Sequence, residues 1–311
     1  MNVSSDPKQF GLLLAAIDIG SNAIRLLLSR VFEDKNFIFF HKEELIRMSI
    51  RLGEDVFLQG KISDEKIQRL IHAMKAYHHI MQVYGVKQYK AVATSAMRDA
   101  LNGKEVIQTI EKETEIKIEI LDGKTEANLI FANHIEEILD PDKAYMYIDV
   151  GGGSTEITIY NKHKVVASKS FNIGTLRLLY NKVDNAVWEE MKQWIKKHTQ
   201  GIYPLYAIGS GGNINKLYKM SGKKENKSLG YNKLKGLYEM LQSYTYEERI
   251  KLLGLKPDRA DVIVPAAKIY LTAMKTADIE KIYVPQIGLS DGVIHQLYEE
   301  IKNSNKKAQS Q

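Results

Sequence analysis

Two stretches of this chain have the same form. Ile17-Asp18-Ile19-Gly20-Ser21 and Ile148-Asp149-Val150-Gly151-Gly152 each read as a buried strand that ends in an aspartate and runs at once into a glycine turn. A second apolar strand follows each turn, Ile24–Val31 in the first case and Glu156–Tyr160 in the other. A restart about 130 residues into a chain of 311 predicts a duplicated domain. Duplication of this kind places a cleft between the halves, with the two turns facing each other across it.

Strands and helices alternate around both copies, which predicts an α/β fold. The first half reads as strands at Leu12–Ile19, Ile24–Val31 and Phe37–His41, then a helix capped by Ser63, running through Tyr84 and stopped by Gly85. Strands at Tyr89–Thr94 and Lys117–Leu121 flank a helix at Glu105–Thr114, and a helix is expected over Thr125–Leu139. The second half opens on strands at Ala144–Val150, Glu156–Tyr160 and Val165–Phe171, with a turn at Asn161–Lys164. A helix at Trp188–Thr199, a strand at Pro204–Ile208, a glycine loop at Gly209–Gly212 and a helix at Asn213–Met220 follow. Ile282–Pro285 reads as the last strand and Ser290–Lys302 as the last helix, with Asn303–Gln311 as a polar, fraying end. The boundary falls near Leu121–Thr125 or at the Asp140-Pro141 turn. The expected domains are therefore 1–124 and 125–311, with the last helix available to pack back on the first.

Composition narrows the chemistry. The absence of cysteine removes disulfide frameworks, thiolate zinc sites and cysteine nucleophiles together. The longest apolar run, Phe10–Ile19, is interrupted by Asp18 and falls short of the roughly 18–20 residues a membrane-spanning helix needs. Met1–Gln9 carries neither a basic region nor a cleavage site, so no signal peptide and no membrane partner are expected, and the cytoplasm is the expected location. A net charge of +6 suits a polyanion, and equally a basic, solvated surface.

The turns themselves point to phosphate. Gly151-Gly152-Gly153-Ser154-Thr155 offers successive backbone N–H groups and two hydroxyls, and Gly20-Ser21-Asn22 is a smaller version. Glycine is expected here because it accepts positive φ and leaves the amides open to phosphate oxygens. No nucleotide P-loop and no strand-linked dinucleotide fingerprint is present. A carboxylate beside a phosphate nest needs a cation between them, which makes Asp18 and Asp149 a candidate Mg²⁺ pair; the other reading is that each caps its own loop. Glu126, opening a helix near the boundary, is a candidate to orient water, or a first-turn charge on a helix dipole. Glu156 is a second candidate for water or metal. Arg98, just past a strand, is a candidate phosphate contact or an ion pair with Asp99. Gly211, before a helix, either binds an anion at the helix start or makes a plain turn.

Taken in order, Ala16–Asn22, Ala93–Ala100 and Ile148–Glu156 resemble the motifs of the exopolyphosphatase and guanosine pentaphosphate phosphatase family, Ppx/GppA. Weaker matches lie at Ala207–Gly212, Arg259–Ile263 and Gly288–Gly292. The resemblance implies duplicated ribonuclease H-like domains of the actin, sugar-kinase and heat-shock-chaperone superfamily. It implies Mg²⁺-dependent release of terminal phosphate from polyphosphate. The alternatives are hydrolysis of guanosine pentaphosphate, and a sensor that binds polyphosphate or guanosine penta- or tetraphosphate without turnover. No specific nucleic acid is expected, and a homodimer is expected by analogy. By the same resemblance Glu126 falls on the catalytic glutamate, Asp149 on the metal-linked aspartate, Gly151–Ser154 on the phosphate loop, and Arg98 and Arg259 on phosphate-side arginines. Thr125 and Asp122 stand where the family commonly has Glu and Ser, and Ser290-Asp291 replaces an Arg-Glu pair. The family's longer members extend beyond a second domain, and the shorter span here is expected to favour short polyphosphate or a guanosine nucleotide.

Overall fold

The computed structural model describes residues 11–34, 37–131, 140, 142–162, 164–224 and 227–309. Strand β1 (Leu12–Ile19) is apolar almost throughout because helices cover both of its faces. It pairs antiparallel with β2 (Ile24–Asp34), which pairs antiparallel with β3 (Phe37–Met48). On its other side β1 runs parallel to β4 (Gln88–Ala93), and β4 to β5 (Ile118–Ile120). The order is β3-β2-β1-β4-β5. The second sheet repeats it. β6 (Ala144–Val150) is central, β7 (Thr155–Asn161) and β8 (Lys164–Phe171) lie antiparallel to one side, and β9 (Leu205–Ser210) and β11 (Lys281–Tyr283) lie parallel to the other. Read as β8-β7-β6-β9-β11, this order matches the first sheet, with β10 (Leu229–Gly230) added at the edge. The fold is a duplicated ribonuclease H-like, actin-type α/β architecture, as the restart in the sequence implies.

Helices α1 (Leu52–Gln59), α2 (Asp64–Tyr84), α3 (Ser95–Asp99), α4 (Gly103–Thr114) and α5 (Gly123–Phe131) belong to the first half of the chain. Ser63 caps α2 by accepting from Lys66 N, and Gly85 ends it in the left-handed conformation. Buried Leu70, Met74 and Tyr77 turn α2 onto the sheet, where the Tyr77 hydroxyl donates to Ile24 O and Ile46 O. The second half holds α6 (Thr175–Leu179), α7 (Asn185–Thr199), α8 (Gly212–Met220), α9 (Tyr231–Ser243), α10 (Tyr246–Lys251), α11 (Pro257–Ala260), α12 (Ile263–Thr276) and α13 (Leu289–Gln309).

Several elements differ from the sequence reading. The helices at α1 and α3, those from α9 to α12, and strand β10 have no counterpart in it. In α12 the apolar positions run nearly all round a buried helix, so no stripe marks it, and Pro265 sits in the first turn, where its missing N–H costs nothing. The last helix extends past Lys302 to Gln309 instead of fraying at Asn303. Residues 132–139 of the expected Thr125–Leu139 helix, and Pro141 of the candidate boundary turn, lie outside the described residues.

Three apolar clusters form. One joins the second sheet to α7, α8, α9 and α12, and one joins the first sheet to α1, α2 and α4. The third is shared. Leu14, Ala16 and Val92 of the first sheet and Tyr147 and Ile208 of the second meet Val293, Ile294 and Leu297 of α13. One helix therefore sets where the two sheets stand relative to each other. Ile294 is 1% exposed in this cluster. Ile294→Ala is expected to lower unfolding stability by about 2–5 kcal/mol, read as a fall in the urea midpoint with an unchanged slope.

Candidate active site

Both glycine turns close in the same way, Gly20 N donating to Ala23 O at 3.2 Å and Gly151 N to Ser154 O at 2.9 Å. They also touch. A Cβ on Gly152 would stand 2.9 Å from Ser21 Cβ and 3.1 Å from Asn22 N, and one on Gly153 would strike Phe57, Ser21 and Ser95. Gly20 and Gly151–Gly153 do not have positive φ; at Gly152 and Gly153 hydrogen is required because one turn packs against the other, while a Cβ on Gly20 or Gly151 would crowd a carbonyl of its own turn. Positive φ is instead found at Gly211, at 107°, where the chain leaves β9 for α8 and a Cβ would crowd Asp149 Oδ1 at 3.1 Å. Ser210 ends β9 and Gly212 starts α8, so the expected Gly209–Gly212 loop shrinks to Gly211 alone.

Where the turns meet, a cavity of about 280 Å³ opens between the sheets. Register explains its walls. Residues paired across neighbouring strands share a face of the sheet. Asp18 is paired with Arg25, and Arg25 with Arg47, giving one row on the first sheet. Asp149 is paired with Glu156, and Glu156 with Ser170, giving the equivalent row on the second. Duplication has thus produced two matching rows of unlike charge, and both aspartates, both arginines and Glu156 line the cavity.

Asp18 is held by Arg25, Nη1 to Oδ2 at 2.6 Å. Burial opposes the Arg25 charge, yet Asp18 and Asp149 outweigh it and hold the guanidinium above its ordinary pKa. No such partner holds the second row. Burial pushes Asp149 up to about 6, Arg25 opposing and Asp18 adding. Burial pushes Glu156 up to about 7, with the Asp149 charge adding and hydrogen bonds from Ser170, at 2.7 Å, and Ser154 opposing.

Glu126 enters from α5. Asp122 Oδ1 caps that helix by accepting from Thr125 N at 2.7 Å, and Gly123 lies so close to Ser170 that a Cβ would collide with it. Glu126 is therefore lowered onto the Glu156 row, where it is 7% exposed. Burial, then Glu156, lifts its pKa well above the usual carboxylate range, against the pull of Arg98. Arg98 sits in α3 behind Glu126, not in the cavity wall. Its Nη1 donates to Leu121 O at 2.6 Å and reaches Glu126 Oε2 at 3.4 Å, while Asp99 pairs with Arg177.

Arg259, from α11, lines the cavity, its charge opposed by burial and by Arg47 and Arg25, and it makes no ion pair among the described residues. The site therefore brings together Gly20–Asn22, Gly151–Ser154, Gly211, Asp18, Asp149, Glu126, Glu156 and Arg259. Sequence reasoning missed Arg25 and Arg47. Arg25 had a usable signal, since it stands opposite Asp18 across a short turn in an otherwise apolar strand; Arg47 is placed only by strand register.

A model of the Ppx/GppA phosphatase family matches residues 41–301. The chain belongs to the Ppx/GppA phosphatase family. It is similar to a putative exopolyphosphatase of Haemophilus influenzae, 23% identical across 94% of this chain and 94% of that protein. It is 35% identical to a bifunctional 3-dehydroquinate synthase/phosphatase of Fusobacterium nucleatum over 60% of this chain and 30% of that longer protein. The crystal structure of an exopolyphosphatase from Cytophaga hutchinsonii superposes with a TM-score of 0.81, 25% identity, and coverage of 93% of this chain and 98% of that one. Among the described residues no helix is long and apolar enough to cross a membrane.

The raised Glu156 gives this Ppx/GppA site a pH signature. Between its ordinary 4.5 and about 7 the folded chain keeps a proton that the unfolded chain has lost. Its contribution to stability is complete below pH 4.5 and is lost as pH rises through 7. In chelator, Glu156→Gln is expected to gain stability relative to the parent as pH rises from 5 to 8, at about 1.4 kcal/mol per unit of pKa shift. Denaturant titration of both proteins at the two pH values measures it.

Proposed function

We propose that this chain is an exopolyphosphatase, hydrolysing the terminal phosphoanhydride of inorganic polyphosphate to orthophosphate in the cytoplasm. The observation that carries the reading is the pair of charge rows. An unpaired carboxylate row with Glu126 above it faces Arg25, Arg47 and Arg259 across one cavity floored by two glycine turns. The arginines suit a chain of phosphates, and the acids suit the end at which water attacks.

The residues present fit Mg²⁺. The donors are hard carboxylate oxygens, Asp149 and Glu156 side by side across β6 and β7, and neither makes an ion pair among the described residues. Among the described residues no three acidic or histidine side chains form a ready cage. Mg²⁺ does not need one, since one or two carboxylates with substrate phosphate and water suffice. Asp149 would hold the ion, with Asp18 nearby though already engaged by Arg25. When bound, the ion would screen the acids from the substrate and draw charge from the phosphoryl oxygens.

In the reaction, the N–H groups of Gly152, Gly153 and Ser154 hold the terminal phosphate, and Arg259 holds the chain behind it. Glu126 accepts a proton from a water that attacks the terminal phosphorus. The bridging P–O bond breaks, and its electron pair leaves on the shortened chain. The raised pKa of Glu126 makes it a stronger base than an ordinary carboxylate once it is ionised. Arg98 orients that carboxylate from behind.

Phosphate release from polyphosphate by the purified protein is expected to fall about 10²–10⁴-fold in Glu126→Gln. Wild-type rates from the variant would remove Glu126 from the mechanism. Turnover is also expected to vanish in excess chelator and to return with Mg²⁺; unchanged release in chelator would exclude the ion. Side-by-side turnover of guanosine pentaphosphate tests the substrate. A higher kcat/KM there would replace polyphosphate, and binding without release of phosphate would make the protein a sensor.

A further inference from the structure

The triple-glycine turn is held from behind by the short helix α6. Thr175 N donates to Gly151 O at 3.0 Å, Leu176 N to Gly152 O at 2.8 Å, and the Arg177 side chain, through Nε, to Gly153 O at 2.7 Å. Three successive carbonyls thus face one element. In a trans peptide the C=O and the following N–H point in opposite directions. The N–H groups of Gly152, Gly153 and Ser154 are therefore turned away from α6, in a stretch of chain that lines the cavity. None of the three donates to a protein group among the described residues.

Two of these contacts are made by the main chain. The third is a side chain, and it acts on the peptide between Gly153 and Ser154, where glycine leaves the plane free to rotate. The Arg177 guanidinium is itself fixed from the first half of the chain. It pairs with Asp99 of α3 and lies over the Phe57 ring of α1, 4.2 Å from its centroid. Asp99 also accepts from Ser95 Oγ at 3.2 Å, and Ser95 Oγ stands against Gly153. Burial works against the Arg177 charge, so an arginine here is costly unless these partners hold it.

We propose that Arg177 is a positioning residue for phosphoryl transfer, holding the Gly153–Ser154 peptide so that Ser154 N–H meets the terminal phosphate. It joins α1 and α3 of the first half to the phosphate turn of the second, so the turn is presented only when the two halves are in register. The inference rests on the reading of the cavity as a phosphoanhydride site.

The test is Arg177→Met, alone and in the hydrolysis-disabled Glu126→Gln protein, with Arg177→Lys as the conservative variant. Orthophosphate, which occupies only the terminal seat, is titrated calorimetrically into the Glu126→Gln proteins, and its affinity is expected to fall about tenfold with Arg177→Met. In the active background kcat on long polyphosphate is expected to fall about 10–100-fold, while KM moves less than about threefold because Arg259 and Arg47 still hold the rest of the chain. Arg177→Lys, which keeps a cation for Asp99 and a donor for Gly153 O, is expected to recover part of both losses; if Arg177→Met does not fold, the lysine variant carries the same two measurements at smaller size. Orthophosphate affinity and kcat both within threefold of the parent would overturn the proposal. So would a KM rise as large as the affinity loss, since that is what general loosening produces. If the parent releases no phosphate, the orthophosphate titration still reads Arg177, and the failure belongs to the assigned reaction.

Discussion

The rest of the structure depends on the contact between two backbone turns. Gly152 and Gly153 lie against Ser21 with room for hydrogen and nothing larger. That approach brings two sheets to one site, and it leaves little freedom for the elements behind each turn. Ser21 Oγ accepts from Ala96 N at 3.2 Å, which seats α3 beneath the first turn, while α6 seats beneath the second. A side chain at either position would separate the halves where their chemistry has to meet.

Duplication supplied the frame, and divergence supplied the chemistry. The same position on the second strand of each copy carries Arg25 in one and Glu156 in the other. The first row holds its own charge balance through the Asp18–Arg25 pair. The second row holds carboxylates whose ionisation burial resists. Such an arrangement lowers the stability of the empty protein and is retained where a cationic guest relieves it.

The sequence made the duplicated frame legible because strand–Asp–glycine is local and occurs twice. Asp18, Asp149, Glu156 and both turns could be placed on that basis. Local pattern offered Glu126 as a helix-opening acid near the boundary but could not choose between water and a helix-dipole charge, since its position depends on Gly123 lying against Ser170 of a later strand; the resemblance to the family favoured the first. Arg98 read as a phosphate contact because it follows a strand, and the structure puts it behind Glu126 instead. Arg47 and Arg177 were silent for a shared reason. Their partners, Asp258 and Asp99, are remote in sequence, and only the closed fold brings them near. The all-round apolar α12 lacked the one-sided stripe by which buried helices are usually recognised.

The place of α13 bears on how the molecule is made. One face of the first sheet, at Leu14, Ala16 and Val92, is covered by a helix about 200–280 residues further along the chain. A chain growing from its N-terminus exposes that face until the whole of the second sheet has been synthesised. The nascent first half is then an open, sticky surface with its own strands already in place, in need of protection from self-association or a chaperone's attention. Completion of the cleft and concealment of that surface fall together when α13 is made, so a chain stalled before α13 would be recognisable to quality control by the same face.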